Sequence, residues 1–253
     1  MDIQIFGSGR RLEECRRRLL GAQKKSPYDR LVILPIPTTR DGIHISGTDT
    51  TLAEALSGVC RGTLVAGYGI PPATARRIIL QGAQVYDAAE DEDFLMKNAE
   101  ITARGALGEI LLRTDRDLRD LTIGVVGYGR IGSALVRLLL FLGAGVRVYS
   151  RRFATRLELS ARGLISEAAP DAGNLRGLDI LVNTAPAILF SDEEFAALPD
   201  GLRIIDLASG KNFPTSERVV KLPSIPERNY PVTAGGVYAE FIARRLFDGG
   251  EAR

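Results

Sequence analysis

The stretch "LTIGVVGYGRIGSALVRLLLFLGAGVRVYSRR", from Leu121 to Arg152, decides the fold. Its first apolar run predicts a strand over Thr122–Gly127. Apolar residues at helical spacing then predict a helix over Ile131–Leu142, and a second apolar run predicts a strand over Val146–Tyr149. A strand, a helix and a strand within about thirty residues are typical of a βαβ unit, whose strands lie parallel because the helix carries the chain back.

The start of the predicted helix carries the pattern G-x-G-x-x-G at Gly127, Gly129 and Gly132. In dinucleotide-binding folds the first glycine permits a tight turn and the second lets the backbone approach the pyrophosphate. The third glycine lets the helix pack on its strand. The phosphates then lie at the helix N-terminus, where backbone N–H groups point toward them. The predicted cofactor-binding residues of this turn are Gly127, Tyr128, Gly129, Arg130, Ile131 and Gly132.

The second strand of this unit is followed by Ser150, Arg151 and Arg152. An acid usually stands at this position and accepts hydrogen bonds from the ribose 2′-hydroxyl of NAD, and it would repel a 2′-phosphate. A hydroxyl and two guanidinium groups suit a phosphate dianion instead. We therefore predict NADP as the cofactor, bound by these three residues, with NAD as the alternative. An ordinary basic surface loop is the competing interpretation.

Two further apolar runs, "LDILVNTAP" and "LRIIDLAS", predict strands that extend a parallel sheet. Asn183 and Thr184 follow the first of these strands, at the carboxyl end where open α/β sheets bind ligands. We predict that both residues hydrogen-bond the nicotinamide ribose or the substrate, although simple turn chemistry also explains them. Asp206, at the end of the next strand, is interpreted as a buried hydrogen-bond acceptor.

The first half of the chain predicts a second, smaller α/β domain. "LVILPIP" (Leu31–Pro37) is a continuous apolar run closed by prolines, as expected for a strand buried on both faces of a parallel sheet. A helix over Asn98–Arg113 is predicted to connect the two domains, with a cleft between them. We predict a first domain at residues 1–97 and a second at residues 98–235. The C-terminal helix, at about residues 236–253, is expected to pack back on the first domain.

Charge and composition argue against several classes of function. The chain of 253 residues has 33 Lys and Arg against 31 Asp and Glu, and the net charge of +2 is too small for nucleic acid as the main partner. The most apolar segment, Leu135–Val146, contains Arg137 and is too short to span a membrane. Cys15 and Cys60 have no metal-like spacing, so we predict no metal site. We expect a cytoplasmic protein with free thiols.

Five motifs occur in the order of a known family: "LPIPTTRDG", "NAEITARGA", "VGYGRIG", "VNTAP" and "IIDLAS". Together they resemble the A subunit of dipicolinate synthase from spore-forming bacteria. The resemblance implies a flavodoxin-like N-terminal domain, a Rossmann domain, and NADP-dependent oxidation of dihydrodipicolinate to dipicolinate during sporulation. It also implies that a flavoprotein second subunit is a partner. We further expect a homo-oligomer.

The chain departs from the family pattern in places. Its first half is shortened, since the first helix leads almost directly to "LVILPIP" where another strand is expected, and Arg104 stands where the family has an acid. Three functions therefore remain open. The first is dipicolinate synthase or a divergent, shortened paralogue. The second is a non-catalytic nucleotide-binding or regulatory subunit, and the third is a dehydrogenase of another small carboxylate.

A dicarboxylate substrate calls for hydroxyl and guanidinium groups. The segment after the "LVILP" strand and the connector helix both supply them. The predicted substrate-binding residues are Thr38, Thr39, Arg40, Thr102 and Arg104. No catalytic base is assigned. His44, the only histidine, is interpreted as a structural residue that alternation places at a sheet surface, although histidine is suited to general-base work.

Overall fold

The computed structural model describes residues 1–22 and 25–248. The chain divides into two compact units. The first contains residues 1–98 and the residues from Tyr230 onward, and the second contains residues 99–229. The predicted boundary between residues 97 and 98 thus differs by one residue from this division. Residues 249–253, the end of the predicted C-terminal helix, lie outside the described residues.

A four-stranded parallel sheet forms the centre of the first unit. Its strands are β1 (Asp2–Ile5), β2 (Arg30–Ile33), β3 (Thr63–Gly67) and β4 (Gln84–Asp87). Consecutive strands are joined through α1 (Arg10–Gly21), α2 (Leu52–Ala55) and α3 (Pro72–Leu80). The next helix, α4 (Glu92–Leu111), begins in the first unit and ends in the second.

The second unit contains a six-stranded parallel sheet. Its strands are β5 (Thr122–Val126), β6 (Gly145–Tyr149), β7 (Ile165–Glu167), β8 (Ile180–Asn183), β9 (Arg203–Asp206) and β10 (Val219–Lys221). Its helices are α5 (Arg130–Phe141), α6 (Phe153–Ala161), α7 (Asp192–Ala196) and α8 (Ile225–Asn229). The strand order β7-β6-β5-β8-β9-β10 is the 3-2-1-4-5-6 order of a Rossmann fold, so the predicted fold class is confirmed. The order reverses between β5 and β8, at the switch point where such sheets bind ligands.

The apolar run of β5 is explained by burial on both faces of the sheet. Ile123 and Val125 face one core cluster together with α5, while Val126 faces a second cluster. Between them, a Cβ at Gly124 would lie only 2.7 Å from a methyl carbon of Leu178. The central strand therefore has no solvent-facing side, which is why its sequence does not alternate.

The sheet of the first unit has a sequential order, β1-β2-β3-β4, whereas a flavodoxin-like sheet has the order 2-1-3-4-5. Removing the second strand from that order leaves a sequential sheet. The helices agree with such a loss, because α1 packs on the face of Leu31 and Ile33 while α2 and α3 pack on the face of Val32. All three connections lead to the next strand in the same direction across the sheet, but α1 lies on one face and α2 and α3 lie on the other. The α1 connection therefore has the opposite hand to the other two. Such connections are nearly always right-handed.

The C-terminal helix, α9 (Pro231–Asp248), packs on α1 in the first unit. A Cβ at Gly235 would lie 2.5 Å from the backbone oxygen of Arg11, so glycine permits the close approach. Tyr238 is fully buried, and its hydroxyl donates a hydrogen bond to the backbone oxygen of Leu34 at 2.9 Å. The helix begins five residues before the predicted position of about 236, because proline is well suited to the first turn of a helix.

The connector helix predicted over Asn98–Arg113 begins earlier in the structure, because acidic residues before Asn98 form the start of α4. Glu92 and Asp93 lie in the first turn, where carboxylates interact favourably with the positive end of the helix dipole. Asp91 Oδ1 accepts a hydrogen bond from the backbone N–H of Phe94 at 2.7 Å. The acids therefore start the helix. One face of α4 is buried, and its members are Ala99, Thr102, Ala103, Ala106 and Ile110.

Replacement of Tyr238 by Phe should destabilise the first unit, because the buried carbonyl of Leu34 loses its hydrogen-bond donor. The expected loss is ~1–3 kcal/mol in the free energy of unfolding, measured by denaturant titration. Tyr28→Phe is the matched control, since the Tyr28 hydroxyl donates to Gln84 Oε1 at a solvent-exposed site. Equal losses for the two variants would contradict the assignment.

Candidate functional site

The glycine turn joins β5 to α5 at the switch point. Gly127 has a φ of 90°, in the left-handed region that favours glycine, and a Cβ there would lie 2.6 Å from Thr184 Oγ1. A Cβ at Gly132 would lie 2.1 Å from the backbone oxygen of Gly127, so α5 packs directly on the turn. A Cβ at Gly129 would meet nothing within 4 Å. The turn is therefore closed on the protein side and open to a ligand at Gly129.

The segment after β8 lies against this turn. Thr184 Oγ1 donates a hydrogen bond to the backbone oxygen of Val126 at 2.8 Å. Asn183 is fully buried; its Nδ2 donates to Asp206 Oδ1 at 2.9 Å, and its Oδ1 accepts from the backbone N–H of Ala185 at 3.0 Å. Both side chains thus fix the loop beside the glycine turn. Their predicted hydrogen bonds to the cofactor or the substrate stay predictions.

Asp206 is the centre of a buried polar network at the carboxyl edge of the same sheet. Lys221 Nζ lies 2.7 Å from Asp206 Oδ2, and Asn212 Nδ2 donates to the same oxygen at 3.1 Å. Lys221 also donates to the backbone oxygens of Ala208 and Gly210. A buried carboxylate needs such partners, since an unpaired buried charge is strongly unfavourable. The network holds the loop after β9, as the interpretation of Asp206 as a buried acceptor expects.

A cavity of about 360 Å³ opens beside the glycine turn, within the usual size range of small-molecule sites. Small and apolar residues line much of it: Ala168, Ala169 and Pro170 after β7, and Ala185, Ala187, Ile188 and Leu189 after β8. The rest of the lining comes from the glycine turn and from the end of β6 with the residues that follow it. No carboxylate is among the described lining residues.

One end of this cavity is cationic. Ser150, Arg151 and Arg152 all line it, and the backbone N–H of Ser150 donates to the backbone oxygen of Glu167 at 2.8 Å. Arg151 and Arg152 are exposed, and neither guanidinium group has an ion-pair partner in the part of the chain that the structure describes. Two guanidinium groups without a neutralising acid make this end of the cavity suitable for an anion.

The N-terminus of α6 adds to this positive charge. Arg152 is its N-cap residue, no side chain caps the helix, and its first turn contains no acid. In α7, by contrast, Ser191 caps the helix and acidic residues occupy the first turn. A helix N-terminus carries partial positive charge and free backbone N–H groups. The start of α6 is therefore arranged for a bound anion rather than for a capped, self-neutralised helix.

The predicted substrate-binding residues of the first unit differ in their availability. Thr38 is fully buried, and its Oγ1 accepts a hydrogen bond from the backbone N–H of Tyr68 at 2.9 Å. Thr39 Oγ1 donates to Asp41 Oδ1 at 3.1 Å. Arg40 is exposed, and its guanidinium has no ion-pair partner among residues 1–22 and 25–248. Of the three side chains, Arg40 is the one that is available to an anionic ligand.

Thr102 and Arg104 point to different sides of α4 in the second unit. Thr102 is buried, whereas Arg104 is exposed and its Nη2 donates to Glu100 Oε2 at 3.2 Å. Arg104 also lines a surface groove together with Phe141 of α5. The structure therefore does not bring these two predicted substrate-binding residues together on the helix.

His44 belongs to a loop rather than to a sheet surface. It lies between β2 and α2 and makes an isolated bridge with Thr51. Its Nδ1 lies 2.7 Å from Asp41 Oδ2, and Asp41 Oδ1 accepts from the backbone N–H groups of Ile43 and His44, both at 2.8 Å. These hydrogen bonds, first of all the one from the His44 ring, hold the pKa of Asp41 below its usual range.

Several chemical features can be checked directly on the described residues. No group of three His, Cys, Asp or Glu side chains within residues 1–22 and 25–248 is placed to hold a metal ion. No helix in that part of the chain has the length and apolar character needed to cross a membrane. Cys15 is buried, and burial raises its pKa to about 12, so its thiol is unreactive at neutral pH. Cys60 is exposed.

Residues 97–217 match the family model described as D-isomer specific 2-hydroxyacid dehydrogenase, NAD binding domain. The glyoxylate reductase of Thermococcus gammatolerans is 26% identical over 216 residues, which cover 83% of this chain and 56% of that protein. The glyoxylate reductase of Pyrococcus horikoshii is 26% identical over 227 residues, which cover 88% of this chain and 59% of that protein. The chain thus spans less than three fifths of the length of these curated relatives.

Solved structures with the same fold include two dipicolinate synthase chains. The A subunit of dipicolinate synthase from Bacillus halodurans has a TM-score of 0.75 at 22% identity, with 96% of each chain covered. The corresponding chain of dipicolinate synthase from Bacillus subtilis has a TM-score of 0.76 at 21% identity, covering 96% of this chain and 95% of that chain. At these identities the likeness shows the fold. The second unit is a domain of the dehydrogenase type that binds a nicotinamide dinucleotide, without distinction between NAD and NADP.

Sequence reasoning missed three contributors to the site: the small apolar wall at Ala168–Pro170, the lysine at Lys221, and Arg156 in the first turn of α6. The first two follow or lie in the short strands β7 and β10, which have little apolar pattern of their own. Arg156 did carry a signal, because a cation near a helix N-terminus is unfavourable unless it has another role.

Gly129 and Gly132 should respond in opposite ways to a side chain. Gly129→Val places a side chain on the open side of the glycine turn, where a pyrophosphate would approach. We therefore expect the affinity for the nicotinamide dinucleotide to fall ~10-fold or more, while the unfolding temperature stays near that of the parent. Gly132→Ala creates a contact with the backbone of Gly127, so we expect a loss of ~1–3 kcal/mol in stability. Fluorescence titration and thermal unfolding measure the two effects. Normal NADPH binding by Gly129→Val would place the phosphate site elsewhere.

Proposed function

We propose that the chain is an NADP-dependent oxidoreductase that acts on a small carboxylate. The observation that carries the proposal is the cavity at the Rossmann switch point, with an open glycine turn at one side and a cationic, acid-free end at the other. The match of residues 97–217 to an NAD-binding domain of hydroxyacid dehydrogenases supports it.

The residues of the cavity fit the parts of the cofactor. The backbone around Gly129 would hold the pyrophosphate at the N-terminus of α5. Ser150, Arg151 and Arg152 would hold the 2′-phosphate, and the apolar segment at Ala168–Pro170 suits the adenine ring. The nicotinamide, when bound, accepts or donates a hydride. The chain itself supplies binding, orientation and the charges that select the cofactor.

The preference for NADP over NAD rests on charge. A carboxylate at the end of β6 would repel the 2′-phosphate dianion, and the described lining of the cavity includes none. Each guanidinium–phosphate hydrogen bond contributes ~1.5–3 kcal/mol, more than a neutral pair with a ribose hydroxyl. NADP therefore gains from both arginines and from the α6 terminus, whereas NAD leaves these positive charges without a partner.

The proposed substrate is a small dicarboxylate of the pyridine type, and the proposed reaction is the oxidation of dihydrodipicolinate to dipicolinate. A hydride passes to NADP⁺ and a proton is released. The resemblance of the ordered sequence motifs supports this choice, and the names of the relatives, glyoxylate reductase and dipicolinate synthase, both denote carboxylate chemistry. Arg40 is proposed to bind a carboxylate group. A flavoprotein second subunit and a homo-oligomeric state belong to the same proposal.

A second candidate function is a non-catalytic nucleotide-binding subunit. The observation that favours it is on α4, where the exposed Arg104 pairs with Glu100 and stands in place of the acid of the resembled family. Turnover by the purified chain distinguishes the two candidates, since a silent subunit binds NADPH but transfers no hydride.

NADPH should bind more tightly than NADH, and replacing both Arg151 and Arg152 by alanine should reduce that preference by ~10-fold or more. Calorimetric titration of both cofactors measures the preference. The matched control is Arg137→Ala with Arg176→Ala, which removes the same charge from exposed positions outside the cavity. Equal affinity of the parent protein for both cofactors would refute the NADP assignment.

The purified protein should bind dipicolinate in the presence of NADP, and Arg40→Ala should weaken this binding by ~1–3 kcal/mol. Arg76→Ala is the control, because Arg76 is another exposed arginine of the first unit. Calorimetry that detects no dicarboxylate binding would reject the proposed substrate. Rapid turnover of dihydrodipicolinate by the isolated chain would instead reject the non-catalytic candidate.

A further inference from the structure

Arg156 occupies an electrostatically unfavourable position. It is the fourth residue of α6 (Phe153–Ala161), and its backbone N–H donates to the backbone oxygen of Arg152 at 3.2 Å, so it belongs to the first turn. A positive side chain near the positive end of the helix dipole destabilises the helix. No acid in that turn compensates for it. The contacts of the side chain show what the residue does there.

The Arg156 guanidinium bonds to the loop that precedes its own helix. Nη1 donates to the backbone oxygen of Ser150 at 2.7 Å and to that of Arg151 at 3.0 Å. The guanidinium carbon lies 5.6 Å from the centre of the Phe153 ring, within cation–π distance. The side chain therefore folds back over the start of α6 instead of extending into solvent.

Hydrogen bonds therefore hold both the backbone N–H and the backbone carbonyl of Ser150. Its N–H donates to the backbone oxygen of Glu167 on β7 at 2.8 Å, and its carbonyl accepts from Arg156. The carbonyl of Arg151 is held by the same nitrogen. With these backbone groups held, the Cα–Cβ bonds of Ser150 and Arg151 have set directions at the cationic end of the cavity.

We infer that Arg156 is a positioning residue for the 2′-phosphate of NADP, an inference that rests on the proposed function. Arg156 is not among the residues that line the cavity. It acts through Ser150 and Arg151, because a loop that is ordered before binding loses less conformational freedom when the phosphate arrives. Its charge adds to the positive potential felt by the dianion. The ligand chemistry that this arrangement recognises is a phosphate monoester on an adenosine ribose.

Arginine and lysine are not equivalent at this position. The lysine side chain is shorter and ends in a compact ammonium group, whereas guanidinium is planar and stacks on aromatic rings. Arg156→Lys keeps the positive charge but loses reach toward the two carbonyls and the planar contact with Phe153. This variant therefore separates a positioning role from a purely electrostatic one.

The test uses two probes that contain no nicotinamide, adenosine 2′,5′-bisphosphate and 5′-AMP, titrated into the full chain by calorimetry. The ratio of their dissociation constants measures the 2′-phosphate site independently of hydride transfer. For Arg156→Met we expect this ratio to fall by ~10-fold or more, while the affinity for 5′-AMP stays within about twofold of the parent. Arg156→Lys should recover only part of the ratio.

The matched control is Arg162→Met, an exposed arginine at the other end of α6 that pairs with Glu158 at 2.7 Å. It should leave the ratio unchanged. An unchanged ratio in Arg156→Met would overturn the inference. A parental ratio in Arg156→Lys would show that the charge of the side chain, and not positioning of the loop, supports the 2′-phosphate site. If Arg156→Met does not fold, Arg156→Lys carries the test, because a parental ratio in that variant also overturns the positioning role.

Failure of the inference is distinguishable from failure of the proposed function. A parent protein with equal affinity for both probes has no 2′-phosphate site, which overturns the NADP assignment and the role of Arg156 together. A parent protein that prefers the bisphosphate, combined with an Arg156→Met variant that keeps this preference, overturns the role of Arg156 alone.

Discussion

The close contact between α5 and the glycine turn is the constraint on which the second unit depends. Gly132 lies so near the carbonyl of Gly127 that any side chain there would collide with the backbone. This contact fixes the start of α5 against β5 and directs its N-terminal N–H groups toward the cavity. Thr184 and Asn183 then secure the neighbouring loop against the same turn and against Asp206. The ligand-facing backbone is thus rigid because the protein side is tightly packed.

The charges around the cavity make its end at α6 suitable for an anion. Acidic residues neutralise the first turn of α7. The start of α6 has Arg151, Arg152 and Arg156 instead, and its first turn contains no carboxylate. Such a concentration of like charge is unfavourable in the free protein. A bound anion would reduce that repulsion.

The first unit is built on a parallel sheet with a sequential strand order. Its sequential strand order and the opposite hand of the α1 connection equal those of a 2-1-3-4-5 sheet from which the second strand is removed. The helix α9 packs on α1 and adds to the core on the face of Leu31 and Ile33. Its Tyr238 hydroxyl donates a hydrogen bond to the carbonyl of Leu34. The loop after β2, which carries Arg40, keeps its place at the carboxyl end of that strand.

The sequence by itself determined the central βαβ unit, the glycine turn and the basic end of β6. Each of these depends on local patterns, namely an apolar run, a helical period and glycines at a fixed spacing. The sequence did not predict the short outer strands β7 and β10, because partly exposed edge strands have little apolar pattern. The start of α4 was misplaced because acids favour a helix N-terminus as well as a loop. Only the tertiary structure decided that Thr102 and Arg104 diverge, that Lys221 reaches Asp206, and that Arg156 holds the loop before its own helix. Such contacts depend on side-chain direction and on the packing of distant segments, which spacing along the chain does not encode.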